Sequence, residues 1–218
     1  MKKAVVLLSG GLDSAVTLYL AKKEYECHVL IFNYGQKASI EIEYAKKVAE
    51  ISGSAFKVLD ISMPWQGSSL LDKEISVPKG CASDDSNIPN TYVPARNMIF
   101  LSFGISFAEA IGAEAVFIGA HQMDFSNYPD CRDVFFNAFQ EAVQKGTRAG
   151  ANGEEIKVVT PIIGKTKDEI LRKGTELGVP FEYTWSCYEG REVPCGECES
   201  CIFRKKAFEE VGLKDPLI

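Results

Sequence analysis

The stretch Ala4-Val5-Val6-Leu7-Leu8-Ser9-Gly10-Gly11-Leu12-Asp13-Ser14 decides the fold. Ala4 to Leu8 is a continuous apolar run with adjacent valines, which reads as a strand buried on both faces. Ser9 to Asp13 is a glycine-bearing turn, and Ser14 to Lys23 reads as a helix with Ala15, Leu18 and Ala21 at helical spacing. Paired glycines let the backbone turn tightly and approach a ligand with no Cβ in the way. The helix N-terminus that follows offers free N–H groups and about half a positive charge, a combination that holds an anion. Ser9 and Ser14 add hydroxyl donors. The motif has no Lys of the Walker type and no G-x-G-x-x-G, so it is neither a Walker loop nor a dinucleotide fingerprint. A plain Gly-Gly turn with Asp13 or Ser14 as helix N-cap is the competing reading. The full S-G-G-x-D-S after an N-terminal buried strand favours the anion site.

Working outward, strands and helices alternate. His28 to Phe32 and Ala55 to Ile61 read as strands, and Ile40 to Ile51 as a helix with Ile40, Tyr44, Val48 and Ile51 on one stripe. Asp72 to Arg96 holds Pro78, Gly80, Pro89 and Pro94 and reads as an irregular lid or binding loop. Asn97 to Ile111 is apolar almost all round, which predicts a helix covered on both faces and ended by Gly112. Ala115 to Ile118 is a short buried strand, followed by a polar loop from Gly119 to Asp130. Then come a helix over Asp133 to Lys145, a flexible connector over Gly146 to Gly153, and a strand over Ile156 to Val159. Thr166-x-x-Glu169 is a capping box that opens a helix ending near Gly178. The last helix lies near Ile202 to Val211. The pattern predicts an α/β fold with a doubly wound, mostly parallel sheet. Residues 1–180 form one α/β domain carrying the anion-binding turn in this reading, and 181–218 a small cysteine-rich appendage.

The 218 residues are 46% hydrophobic and 25% charged, an ordinary globular composition. The net charge of −6 argues against a general nucleic-acid binder, which needs a basic face. The apolar run at Ala4 to Leu8 is too short for a signal peptide, so a cytoplasmic protein with reduced thiols is expected. No stretch is long and apolar enough to predict a membrane span.

Four of the seven cysteines cluster: Cys187, then Cys195-x₂-Cys198-x₂-Cys201. This spacing lets thiolates converge on one tetrahedral zinc, and Gly196 permits the sharp turn. An iron–sulfur cluster and redox thiols are the alternatives. Arg204, Lys205 and Lys206 follow, and offset the tetrathiolate charge in this reading or bind phosphate. Cys27 reads as a small core residue, and Cys81 falls in the irregular loop.

The phosphate loop resembles that of the N-type ATP pyrophosphatases, whose fold is Rossmann-like and adenine-nucleotide-hydrolase-like. Pro161-Ile162-Ile163 with Lys167-x-Glu169-Ile170 is similar to their second motif, whose lysine contacts phosphate. Val93-Pro94-Ala95-Arg96-Asn97, Ser126-Asn127-Tyr128-Pro129-Asp130-Cys131-Arg132 and the cysteine tail narrow the resemblance to the QueC family, the 7-cyano-7-deazaguanine synthases. Ala95 and Asn127 stand where that family leads one to expect glycine. Asn tolerates positive φ, whereas Ala95 is strained if its φ is positive.

The resemblance implies conversion of 7-carboxy-7-deazaguanine and ammonia to the nitrile, through adenylated acid and amide intermediates. ATP with magnesium is the expected co-substrate, cleaved to AMP and pyrophosphate. The implied ATP-binding residues are Leu8, Ser9, Gly10, Gly11, Leu12, Asp13, Ser14, Ala15, Val16, Thr17 and Leu18. Asp13, Lys167 and Arg96 are the expected catalytic residues. One structural zinc per chain on Cys187, Cys195, Cys198 and Cys201, and a homodimer, are also expected; a nucleic-acid partner is not required.

For the acid substrate, Asp124 or Asp130 is expected to read the guanine edge, since a carboxylate accepts paired N–H donors. Arg96 or Arg132 would orient the substrate carboxylate or the adenylate, and Tyr128 would stack on the ring. The plainer reading has Asp130 capping the next helix and paired with Arg132 in solvent. Cys131 is expected to serve packing rather than nucleophilic attack. A tRNA sulfurtransferase of the same superfamily and a non-catalytic zinc-ribbon module are the rival functions.

Overall fold

A computed structural model of the chain describes residues 1–65, 67–80, 88–121 and 127–217. Five strands form one sheet: β1 (Lys2–Leu7), β2 (Tyr25–Asn33), β3 (Ala55–Asp60), β4 (Ala115–Ile118) and β5 (Lys157–Val159). Their order is β3-β2-β1-β4-β5, and every pairing is parallel. The helices are α1 (Leu12–Ala21), α2 (Ile40–Ser52), α3 (Arg96–Ile111), α4 (Asp133–Gly146), α5 (Arg148–Ala151), α6 (Lys167–Glu176) and α7 (Glu199–Val211). The expected doubly wound architecture is the one observed.

The central strand shows why. Along β1 the side chains alternate between two cores. Ala4 and Val6 pack with α1, α2, α6 and α7 through residues such as Val16, Ala45, Ile170 and Phe208. Val5 and Leu7 pack with α3 and α4 through Leu101, Ile105 and Phe136. Both faces are sealed, so an unbroken apolar run is what the strand requires. The chain winds outward from β1 to β3, then reverses to β4 and β5. That reversal opens a crevice between the carboxyl ends of β1 and β4.

The last segment shares this core. Phe181, Ala207 and Phe208 belong to the same cluster as β1 and α1. Arg204 is 2% exposed and ties the segment together. Its Nε and Nη2 donate to Asp215 at 2.7 and 2.9 Å, and Nη1 donates to Thr184 O and Oγ1 at 3.0 and 2.8 Å. The expected role of Arg204 near the thiolates is therefore corrected. Lys205 and Lys206 face Glu209 and Glu210 on the exposed side of α7.

Three local expectations also change. The connector at 146–153 contains α5, because Thr147 Oγ1 accepts the Gly150 N–H and supplies a helix cap. The buried face of α2 is Ile42, Ala45, Val48 and Ala49, while Ile51 is 46% exposed. Helix α3 is covered on one stripe, Leu101, Gly104, Ile105 and Ala108, and leaves Met98 and Phe103 exposed. Uniform hydrophobicity does not say which face a helix packs. Among the described residues, no helix is long and apolar enough to cross a membrane.

Candidate active site

A cavity of about 270 Å³ occupies the crevice. Its floor is the turn after β1. Gly10 has φ +89°, and a Cβ there would come within 2.2 Å of the Glu41 carbonyl oxygen, so both backbone angle and space require glycine. Gly11, not Asp13 or Ser14, holds the N-cap position of α1, which removes the plain-cap reading of those two residues. The serines brace the turn: Ser9 Oγ lies 3.0 Å from Ser14 Oγ, and Ser14 Oγ donates to Gly11 O at 2.9 Å.

Leu8, Ser9, Gly11, Leu12, Asp13 and Ser14 line the cavity. The rest of the expected nucleotide stretch does not. Ala15, Val16 and Leu18 are core residues, Thr17 is fully buried, and Gly10 backs onto α2. Past its first turn α1 points these side chains away from the crevice.

Lys167 and Asp13 meet although 154 positions separate them. Lys167 opens α6, whose start is held by the Thr166 N–H donating to Glu169 Oε2 at 2.9 Å. Its Nζ reaches Asp13 Oδ2 at 2.6 Å, and His121 Nε2 lies 3.2 Å from both that oxygen and the Lys167 Nζ. Burial opposes charge on Asp13, but Lys167 and His121 together hold its carboxyl well below the usual range. Among the described residues, Asp13 Oδ1 is buried with no hydrogen-bond partner. A buried acceptor without a donor is costly unless a ligand or ion completes it.

Arg96 lines the opposite wall and donates from Nη1 to Tyr34 Oη at 3.1 Å. Ala95, just before it, has φ +54°, which meets the condition under which an alanine there is strained. Tyr128 also lines the cavity, with its hydroxyl 2.6 Å from Thr91 Oγ1.

Two of the residues expected to bind the acid lie away from the cavity. Asp130 is buried, and its Oδ2 accepts the Asn97 N–H at 3.0 Å, so it holds the start of α3 rather than the next helix or a ligand. The 3₁₀ turn Pro129–Cys131 rotates it that way. Burial raises its carboxyl. Arg132 is exposed, with Nη2 3.5 Å from Asn127 O. Asp124 and Cys81 lie outside the described residues. The Cys131 thiol is in the cavity wall, 3.2 Å from Asn97 Nδ2, and burial with Asp130 nearby pushes it up to about 12. It stays a thiol, not a nucleophilic thiolate.

Sequence reasoning gave no role to His121 or to Gln36 and Glu41, which also face the cavity. Glu41 resembled any acidic residue in a first helical turn, and only the contact of α2 with Gly10 reveals its position.

The four cysteines converge, with all sulfurs within 4.8 Å of one another and Cys195 Sγ 4.0 Å from Cys201 Sγ. A tetrahedral ion with metal–sulfur bonds of about 2.3 Å needs sulfurs about 3.8 Å apart, so the set fits. Backbone N–H groups of Cys195 and Cys198 donate to Cys187 and Cys195 sulfurs at 3.3 Å. Gly196 turns between them with φ +73°. Trp185 joins this site to the glycine turn: its backbone N–H donates to Gly10 O, and its indole N–H to Cys187 O, both at 2.8 Å.

The model of the family described as "Queuosine biosynthesis protein QueC" matches residues 3–212. A 7-cyano-7-deazaguanine synthase from Nostoc punctiforme is 49% identical, covering 99% of each chain. One from Thermoplasma acidophilum is 48% identical, over 99% of this chain and 91% of its own. Among solved structures, NMN synthetase from Francisella tularensis aligns with a TM-score of 0.52 at 14% identity, covering 98% of this chain and 78% of its own, a likeness of fold alone.

Proposed function

The chain belongs to the QueC family, and from that premise we propose that it is an ATP-dependent carbon–nitrogen ligase making 7-cyano-7-deazaguanine. The substrates are 7-carboxy-7-deazaguanine, ammonia and ATP. The acid is first adenylated and captured by ammonia as the amide. A second ATP activates the amide oxygen, and loss of AMP leaves the nitrile. The observation that carries this reading is the Asp13–Lys167 pair at the glycine turn, with Asp13 Oδ1 lacking a partner.

In this reading the turn and α1 N-terminus hold the pyrophosphate, and Lys167 neutralises phosphate charge. The Asp13 carboxylate would hold magnesium, which would supply charge neutralisation on the nucleotide when bound. Arg96 orients the acid or its adenylate, and Tyr128 offers a ring face to the base. Cys187, Cys195, Cys198 and Cys201 would hold one zinc in a closed, structural site. A cytoplasmic homodimer without a nucleic-acid partner, with a metal-binding appendage from residue 181, completes the proposal. A protonated Cys131 gives no support to the sulfurtransferase alternative.

The test is incubation of purified protein with ATP, magnesium, ammonium and the acid, with products read by mass spectrometry. Nitrile, AMP and pyrophosphate are expected. ADP and orthophosphate, or a thiolated product, would overturn the reading.

A further inference from the structure

Both bond-forming stages of the proposed reaction strip protons from nitrogen. At neutral pH ammonia is mostly ammonium, and the amide must lose both N–H protons to become a nitrile. Something in the cavity must accept them. Asp13 is an ionised carboxylate committed to Lys167 and His121, and it is too weakly basic for this task. Cys131 is a protonated thiol. Burial raises Tyr34, Tyr128 and Tyr188, so their phenols stay neutral.

Glu41 is placed differently. It lies in the first turn of α2, whose backbone touches the phosphate turn at Gly10. Its carboxyl lines the cavity. Oε1 accepts the Gln36 Nε2–H at 3.0 Å. Gln36 is itself fixed, accepting the Tyr34 N–H at 2.8 Å and donating to Phe32 O at 3.1 Å. Among the described residues, nothing donates a hydrogen bond to Oε2, and that atom is not sealed off from the cavity.

We infer that Glu41 is the proton acceptor for the reacting nitrogen, an assignment that rests on the reaction proposed above. In the first stage, ammonium gives one proton to Glu41, solvent carries it away, and the resulting ammonia attacks the acyl carbon of the adenylate. The C–N bond forms, the C–O bond to AMP breaks, AMP leaves with the electron pair, and the nitrogen's proton passes to Glu41. In the second stage, the amide oxygen attacks the α-phosphorus of ATP, pyrophosphate leaves, and one N–H proton passes to Glu41. The C–O bond to AMP then breaks, the last N–H proton passes to Glu41, and the C≡N bond is complete. Solvent returns Glu41 to its carboxylate between steps.

The electrostatics agree with this placement. Burial raises the Glu41 carboxyl to about 7, against the opposing pull of the Gln36 hydrogen bond and the Arg96 charge. The other charged or titratable groups around the cavity are Asp13 and His121 at the strand ends, Lys167 from α6, Glu199 from α7 and the Cys131 thiol, with the three tyrosines. A proton acceptor works best with a pKa near the operating pH. Glu41 accepts only as the carboxylate, so turnover falls as pH drops below about 7.

The experiment compares Glu41→Gln and Glu41→Asp with the native enzyme in two assays. Acid-dependent exchange of labelled pyrophosphate into ATP reports adenylation, which removes no proton from nitrogen. Amide and nitrile formation reports the proton-dependent steps. Glu41→Gln keeps the Gln36 contact. It is expected to retain exchange, to lose product formation by about 10²- to 10⁴-fold, and to lose the acid limb of the pH profile. Glu41→Asp is expected to keep that limb at a reduced rate. Native product formation by Glu41→Gln, or equal loss of exchange and product in both variants, overturns the assignment. Absence of exchange in the native enzyme instead overturns the reaction on which it rests.

Discussion

Two ion pairs of nearly equal length, one buried and one half-buried, sit in this molecule and do different work. Arg204 Nε and Asp215 Oδ2 are 2.7 Å apart, and Lys167 Nζ and Asp13 Oδ2 are 2.6 Å apart. The first is complete. Each arm of the Arg204 fork has an acceptor, and Asp215 Oδ1 takes both Arg204 Nη2 and the Leu217 N–H. Its side chains are 3% and 7% exposed. The second pair faces a cavity, at 17% and 22% exposure, and leaves Asp13 Oδ1 without a partner. A satisfied pair in the interior is architecture. An unsatisfied one at a cavity wall is a site prepared for something else.

The sharpest tests perturb the architectural side first. Cys198→Ser removes one of the four converging thiols. Because structural zinc contributes on the order of 10 kcal/mol or more to folding in small domains, soluble yield should collapse, with less than one metal per chain by elemental analysis. Arg204→Met leaves Asp215 as an unpaired buried charge, expected to cost about 3–5 kcal/mol. Calorimetry should then show Tm lower by about 10 °C or more. Arg204→Met with Asp215→Leu should recover most of that loss, since a buried pair is often replaceable by apolar residues. If the single variant keeps its Tm, the architectural reading of this pair fails.

The cavity pair should respond in the other currency. Asp13→Asn should reduce acid-dependent pyrophosphate exchange by about 10³-fold, near 4 kcal/mol in the barrier, while circular dichroism shows the fold retained. A variant that exchanges normally would erase the contrast between the pairs. The smallest effect concerns Glu41, whose carboxyl is raised in the folded state. An acid raised by folding leaves stability intact below its unfolded pKa and lowers it as pH climbs towards the folded value. Glu41→Gln should therefore be more stable than the native chain at pH 8, by on the order of 2 kcal/mol, and no more stable near pH 4, as pH-dependent thermal melts will show.

The first strand, the glycine turn and the cysteine spacing were legible because each is local chemistry: an apolar run, a backbone angle and a ligand interval. Parallel alternation then predicted the sheet. What was not legible depends on which way a side chain turns. Arg204 resembles Lys205 and Lys206 in sequence, yet it alone rotates into the interior towards Thr184. Asp130 sat in a loop between a strand and a helix, the usual place for a ligand residue, and a 3₁₀ turn directs it to α3 instead. His121 and Asp13 come from separate strand ends and meet only because β1 and β4 are neighbours. Ala95 was readable only as a condition, strain if its φ were positive, and the structure supplies the left-handed angle.

Trp185 bridges the thiolate cluster and the glycine turn, with one hydrogen bond to Gly10 and one to Cys187. Coupling between two binding events is reciprocal. Any advantage that a filled thiolate cluster lends to nucleotide is returned by nucleotide as a firmer hold on the metal. Saturating ATP should accordingly slow the stripping of metal by a chelator, and Trp185→Phe, which lacks the indole N–H, should weaken that protection. The same residue that braces the glycine turn then also sets how long the metal stays in place.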